Sequence, residues 1–465
     1  MWKGLKLCED CPQYSLILMP SKENPQPDRG KNTNSRRPGS QVPPKRSDAS
    51  QIRAKASGVP PESAAFAVVS RRAADRLRAG HLWVYRSDVE RVVPAQDGSA
   101  LVLVRDPRGQ PLGTALYSAS SQIALRLVGA GALNDQAWTA LFRARLRAAI
   151  DFRRPMLSEQ TDACRLVFGE ADFLPGLVVD KYGDLVIFQV LAQGMDDPAL
   201  RVELRTILVE ALSPRAIFER EDARIRELEQ IGPAPEGPLY LDPEATDTGA
   251  ATIFRLNGLR FHYDTGSGQK TGAFLDQREN YAAAARHCRG EALDVCTYQG
   301  GFALHLARGC RRVTGVDASR AALEVAERNL DLNRSSLAAN EVEWIEANAF
   351  DLLREWSDTG AKFDSIVLDP PAFAKSRRAA NGALRGYKEL NLRALKMLRP
   401  GGTLITCSCS HHVGVEEFTA VVAAAASDAH RQVRLLERRG AAGDHPVLLA
   451  VPETEYLKCL ICRVD

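Results

Sequence analysis

Long apolar runs, disulfide-grade cysteine, abundant aromatics and strong charge of either sign are all missing from this chain of 465 residues. No stretch approaches about 18 consecutive apolar residues, which excludes a bilayer-spanning helix. The start shows no apolar core followed by a small-residue cleavage site, which argues against secretion. Ten cysteines are too few for a disulfide scaffold in a chain this long, so a reduced, cytoplasmic protein is expected. Aromatic residues make up 6%, too few for a surface built mainly of stacking rings. The formal net charge is only +3. Residues 1–60 hold 11 Lys and Arg against 5 Asp and Glu, so the remainder is slightly acidic. A nucleic-acid partner must therefore be met by a local patch or by the tail, because the chain as a whole is not basic.

At 45% apolar and 26% charged residues the rest is ordinary folded-protein composition, and the length suggests about three domains. Residues 1–62 are the exception. From Pro20 to Ser57 the abundant Pro, Ser, Asn, Lys and Arg leave too little apolar surface to offset chain entropy, and a disordered basic tail over 1–62 is expected. A loose electrostatic hold on RNA and a plain solvated extension are both open for it. Cys8 and Cys11 have zinc-like spacing but no second pair nearby, so no metal is expected.

Residues 63–140 read as a small β-rich domain, with strands at 66–69, 101–105, 112–117 and 123–128 and a short helix at 71–79. Trp83 and Tyr85 alternate with Leu82 and Val84, as core residues do. Residues 141–265 read as a central α+β domain. A hairpin is expected from 177–180 and 185–190, and a last strand over 256–263. Glu170 and Asp172, in a polar turn, are read as solvated side chains or as substrate contacts. Asp276 is read as a helix cap. Residues 266–465 then alternate short apolar strands with helices, which predicts a doubly wound α/β domain.

In such sheets the ligand lies beyond the carboxyl ends of the strands, where strand order reverses. The first strand runs into Cys296-Thr297-Tyr298-Gln299-Gly300-Gly301, whose glycines let the backbone approach a cofactor. Asp317 ends the next strand and suits the two hydroxyls of a ribose. The three-glycine dinucleotide fingerprint is missing, which favours a cofactor without a pyrophosphate, such as S-adenosylmethionine. Asn348 is read as an adenine contact or as a helix cap. Gln277 and Arg278 are read as contacts for the methionine end, Arg278 because its planar fork matches a carboxylate.

The fourth strand ends in Asp369-Pro370-Pro371-Ala372-Phe373, where two prolines stiffen the backbone and Phe373 is free to stack on a base. The fifth ends in Cys407-Ser408-Cys409-Ser410-His411-His412, whose two cysteines share one face if the strand persists. A thiolate is a natural nucleophile for carbon 6 of a pyrimidine, and its addition would activate carbon 5 for methylation. Two buried small hydrophobes are the plainer reading. Lys375, Arg377, Arg378, Arg385, Tyr387 and Lys388 form the local basic and aromatic patch that the charge balance asks for, either to hold RNA or as a solvated face. His287, His305, His430 and His445 show no partner in the sequence.

Several phrases taken together resemble one family. They are Gly169-Glu-Ala-Asp-Phe-Leu-Pro-Gly176, Thr271-Gly-Ala-Phe-Leu-Asp-Gln-Arg278, Tyr298-Gln-Gly-Gly-Phe302, Asp369-Pro-Pro-Ala-Phe373, Arg385-Gly-Tyr-Lys388 and Ser408-Cys-Ser410. From about residue 65 to the end the chain is similar to the bacterial large-subunit ribosomal RNA 5-methylcytosine methyltransferases that carry an N-terminal PUA domain. The resemblance implies a PUA domain for RNA at 63–140, a linking domain at 141–265 and a Rossmann-like methyltransferase domain at 266–465. It implies Cys409 as nucleophile with Asp369 beside it, and a cofactor pocket of Gln277, Arg278, Cys296, Tyr298, Gly300, Gly301, Asp317, Asn348 and Asp369. Substrate contacts are expected from Phe373, Lys375, Arg385, Tyr387 and Lys388. Ribosomal RNA is the implied partner, with no membrane and no metal. Oligomeric state is not fixed by the sequence, and a homodimer is among the arrangements it allows. Asn348 stands where the family usually has an acid. Two other readings stay open: a purine N-methyltransferase acting on RNA, and a non-catalytic RNA-binding assembly factor.

Overall fold

The computed structural model describes residues 65–96, 98–266, 272–339, 341–373 and 380–465. The expected tail and Lys375, Arg377 and Arg378 lie outside the described residues. The first domain is a six-stranded sheet in which Phe66–Val69 runs parallel to Leu101–Arg105 and antiparallel to Val89–Val93. Helix Arg71–Arg78 starts at Ser70, whose hydroxyl accepts from Ala73 N, and buries Ala73, Ala74 and Leu77. Trp83 is buried, as its alternation predicts, but its indole also donates to Glu170 of the next domain at 3.0 Å.

That bond corrects the reading of the polar turn. Glu170 is 2% exposed and shares a buried cluster with Arg126 and Glu229, while Asp172 pairs with the fully buried Arg153. Both acids join elements, because a buried guanidinium or indole N–H needs an acceptor. The central domain is a five-stranded sheet, Ala163–Phe168 at one edge and Tyr240–Leu241 at the other. Helices Asp135–Arg153 and Pro198–Leu212 cover it through Trp138, Phe142, Leu146, Leu204 and Leu208. The expected strand at 256–263 is two strands, Ala251–Leu256 and Leu259–Asp264, paired antiparallel. Asn257 and Gly258 between them have φ of 53° and 85°, the left-handed pair of a tight hairpin turn.

The third domain is a seven-stranded sheet in the order Glu341–Glu346, Arg312–Asp317, Glu291–Val295, Phe363–Leu368, Leu398–Ser408, Lys458–Val464, Val433–Arg439. Neighbours are parallel except at Lys458–Val464, which is antiparallel to both sides. The central strands are buried on both faces, which explains their nearly unbroken apolar runs. Strand order reverses between Glu291–Val295 and Phe363–Leu368, so a crevice opens beyond their carboxyl ends. Gly315 leaves room for Trp344 on the neighbouring strand: a Cβ there would stand 2.4 Å from the indole and 3.2 Å from Thr297 Cγ2. Gly315→Ala is therefore expected to cost about 1–3 kcal/mol through overpacking, read by chemical denaturation against wild type.

The segment between Val433–Arg439 and Lys458–Val464 ties the three domains together. Asp444 accepts from Arg165 N at 2.9 Å and pairs with Arg278 at 3.1 Å and His445 at 3.1 Å. Val451 packs with Leu82, Trp83 and Ile123 of the first domain, and Glu453 lies 3.4 Å from His81. His445 thus has a partner that its sequence neighbourhood did not reveal. So do His287, 2.6 Å from Glu437, and His305, which meets Gly301 O and Asn257. Burial lowers His305 to about 4, so it serves as a neutral packing group against Tyr281 and Phe261.

Candidate active site

The turn after Glu291–Val295 is shaped by Asp294. Its buried carboxylate accepts from Thr297 Oγ1 at 2.5 Å and from Ala303 N at 2.9 Å, fixing strand to helix Gly301–Leu306. Burial raises its pKa to about 7 against the pull of those two donors. Between the anchors, Cys296, Tyr298 and Gly300 take φ of 64°, 52° and 84°. Two non-glycine residues in the left-handed region mark stored backbone strain at a site. Tyr298 N donates to Asp317 at 2.8 Å and Ser319 N donates to its other oxygen at 2.9 Å. Burial nonetheless raises the Asp317 pKa, and these N–H groups work in the opposite direction. The carboxylate is thereby held in one orientation at the mouth of the turn, with lone pairs left over for a ligand.

The opposite wall begins with the short 3-10 turn Leu275–Gln277. Gln277 Nε2 donates to both oxygens of Asp369 at 3.0 Å, and its own oxygen accepts from Asn280 at 2.7 Å. Asp369 is itself set by its N–H to Val295 O. Asp276 does not cap the following helix: its carboxylate accepts from the Tyr456 hydroxyl at 2.5 Å, because the 3-10 turn displaces the helix start to Arg278. Arg278 does not line the cavity. Its buried guanidinium pairs with Asp444, a partner 166 residues away that local sequence could not reveal.

Strand Leu398–Ser408 ends before Cys409, so the two cysteines meet different surroundings. Cys407 is fully buried in the core, and burial pushes its thiol well above the ordinary value. Cys409 leaves the sheet, its sulfur 4.0 Å from Pro370 O. Just beyond it, Ser410 Oγ meets the buried Tyr387 hydroxyl at 2.9 Å, and Lys458 Nζ donates to Ser410 O at 2.6 Å.

A cavity of about 340 Å³ joins these walls, lined by Asp276, Gln277, Cys296, Tyr298, Gly301, Asp317, Asp369 and Cys409. Phe254, Leu256 and Phe261 of the hairpin close one side. Sequence reasoning missed this contribution, although Asn257-Gly258 between apolar alternations signals it. Gly300 sits behind the cavity, where a Cβ would stand 3.0 Å from Trp344. The oxygen of Asn348 accepts from Phe350 N and Asp351 N, the capping arrangement, and its neighbours Ala347 and Ala349 line the cavity in its place. Phe373 packs on Phe350 and Tyr387, at centroid distances of 5.7 and 4.8 Å. Tyr387 is core, Lys388 pairs with Asp428 at 2.8 Å, and Arg385 is exposed. Among the described residues no group of three or more His, Cys, Asp or Glu could hold a metal, and no helix is long and apolar enough to cross a membrane.

An oriented acid at the second strand, a strained turn at the first and a thiol at the fifth thus meet at the switch point of one sheet. Comparison with known proteins agrees with this architecture. Residues 68–129 match the PUA-like domain family, and residues 241–457 match the S-adenosylmethionine-dependent methyltransferase family. A putative methyltransferase solved in complex with SAH shares the fold, with a TM-score of 0.70 at 20% identity, covering 85% of this chain and 99% of that one. "Ribosomal RNA large subunit methyltransferase I" of Pseudoalteromonas translucida is 35% identical over 393 residues, 83% of this chain and 96% of the relative. The protein of that name from Klebsiella pneumoniae strain 342 is 37% identical over 391 residues, 83% and 94% of the two chains. With a PUA-like domain leading into a Rossmann-like domain whose cofactor is S-adenosylmethionine, the chain belongs to the ribosomal RNA large subunit methyltransferase I family.

Proposed function

We propose that this chain methylates carbon 5 of a cytosine in large-subunit ribosomal RNA, with Cys409 as covalent nucleophile. The single observation that carries the reading is that Cys409, Asp369 and Asp317 line one cavity. The residues present fit the cofactor. Asp317, oriented by two backbone N–H groups, accepts from the ribose hydroxyls. The strained backbone at 296–298 leaves room for the nucleoside, and Gln277 with Asp369 faces the methionine end. When bound, S-adenosylmethionine supplies the electrophilic methyl that carbon 5 takes.

Cys409, as thiolate, adds to carbon 6 and displaces the electron pair of the 5,6 double bond into the ring. Water supplies the proton that N3 takes and the Asp369 carboxylate stabilises the protonated ring, which lowers the barrier to that addition. Once carbon 5 has taken the methyl, loss of its proton to a base and of the N3 proton to water restores the 5,6 double bond and expels the Cys409 sulfur as thiolate. One hard substitution becomes easier steps. Tyr387 acts behind Cys409, holding Ser410 in place, and the exposed Arg385, on the same helix Ala380–Met397, is available to a phosphate. The PUA-like domain, over 63–140, supplies RNA contact away from the cavity, and the 141–265 domain links the two.

The test is to incubate unmodified ribosomal RNA with radiolabelled S-adenosylmethionine and identify the labelled nucleoside. 5-Methylcytidine is the expected product, and label on a purine alone overturns the reading. Asp317→Ala is expected to weaken cofactor binding about 10- to 100-fold by loss of charge-assisted hydrogen bonds, measured by isothermal titration with the folded variant.

A further inference from the structure

Lys458 opens the antiparallel strand Lys458–Val464, opposite Ser408 in register, and its side chain is buried. Its Nζ donates to Ser410 O at 2.6 Å and to Tyr456 O at 2.7 Å, both neutral carbonyls. Among the described residues no carboxylate lies within ion-pair distance of it. Lysine is almost never fully buried unless paired, because an uncompensated ammonium loses its hydration. Burial accordingly lowers its pKa to about 8, while Cys409, Glu455 and Glu417 act to raise it. Glu455 and Glu417 are exposed, where solvent screens them, and Glu417 is already engaged by Gly414 N. The neighbouring ring hydroxyl of Tyr456 is committed to Asp276, and burial raises its pKa well above the ordinary value, so it stays neutral. Of the groups that act on the ammonium, the thiol of Cys409 comes first and is covalently next to the Ser410 carbonyl that Lys458 grips, while the carboxylates of Asp276 and Asp369 share its cavity and oppose its ionisation.

We propose that Lys458 is the positioning residue that holds Cys409 as a thiolate, its buried ammonium being the counter-charge of the sulfur. The inference deepens the nucleophile reading above and rests on it for its catalytic meaning. The thiol proton goes to solvent, and the ammonium keeps its own three protons, two of them on the carbonyls of Ser410 and Tyr456. A charge pair of this kind lowers a thiol pKa below its ordinary value of about 8.5. The pair is fully formed between the lowered thiol pKa and the lysine pKa, so it serves the neutral range and fades above pH 8 as Lys458 loses its proton.

The experiment is the pH profile of Cys409 alkylation by iodoacetamide in the full-length protein, followed by mass spectrometry of the Cys409 peptide. Wild type is expected to titrate at least about one pH unit below the ordinary thiol. Lys458→Gln keeps a donor to Ser410 O without the charge and should move the midpoint up by about one unit or more, with a roughly 10- to 100-fold fall in kcat. Lys458→Met should do the same, and Lys458→Arg should retain the low midpoint. Cofactor binding by each variant reports that the pocket is intact. A wild-type midpoint at or above about 8.5 overturns the proposal without any variant, and so does a folded Lys458→Gln whose profile superimposes on wild type. Should Cys409→Ala still methylate, the nucleophile reading fails, yet the alkylation profile still shows whether Lys458 sets the acidity of that sulfur.

Discussion

Cys409→Ala is expected to lose methyl transfer to ribosomal RNA by about 10³-fold or more, since removal of a covalent nucleophile is among the largest single-residue effects in catalysis. Cofactor binding should stay within about threefold of wild type, because Asp317, Gln277 and the strained turn are untouched. Cys409→Ser should be nearly as inactive, as an alcohol is a far weaker nucleophile at neutral pH than a thiolate. Cys407→Ala separates position from chemistry. That thiol is buried in the sheet core and its loss should lower stability modestly while methylation of cytosine continues. RNA carrying 5-fluorocytosine adds a direct readout. Fluorine in place of the carbon 5 proton blocks the final elimination, so wild type should leave a protein–RNA adduct stable on a denaturing gel and Cys409→Ala should leave none. Sustained methylation by Cys409→Ala would return the purine reading to the front.

The second large effect concerns stability. Asp444 is completely buried and collects Arg165 N, Arg278 and His445 around one carboxylate. Arg153 also donates to its backbone oxygen at 3.1 Å. Burial by itself would raise this carboxyl, but the positive partners and the N–H win and bring it down to about 2. Asp444→Ala leaves the buried Arg278 with only the half-exposed Glu279, 3.6 Å away, and breaking a buried pair in this way costs about 3–5 kcal/mol. Differential scanning calorimetry should show a fall in Tm of roughly 4–6 °C, and a loss below about 1 kcal/mol would show that the cluster relaxes freely. The pH dependence follows from the same group. A carboxyl lowered in the folded state contributes stability that is present above its unfolded value near 4 and is lost as pH falls towards 2. The contribution is on the order of 2 kcal/mol, and in Asp444→Asn the part of the acid-side loss due to this group should be missing.

Much of the site was legible because it is local. The glycine turn, Asp317 and Asp369 each stand at the end of an apolar strand, and a parallel sheet brings strand ends to one edge whatever else the chain does. Cys409 was legible for the same reason, although its separation from Cys407 depended on where the strand stops. Arg278 and Asp276 misled because each sits in a motif beside the site while its side chain answers to a residue far along the chain, Asp444 or Tyr456. Glu170 misled in the same way through Trp83. A polar turn looks solvated until a second domain is placed against it. Lys458 carried no signal at all, since a lysine at the head of a strand is ordinary unless its neighbours leave it without water or a carboxylate.

The sequence by itself determined the order of elements, the switch-point crevice and the residues offered to it, because periodicity and turn chemistry act over a few neighbours. Only the tertiary structure decided which charged groups face the cavity and which are spent joining domains. Burial and charge pairing depend on residues hundreds of positions apart, and an ion pair has no period to read along the chain.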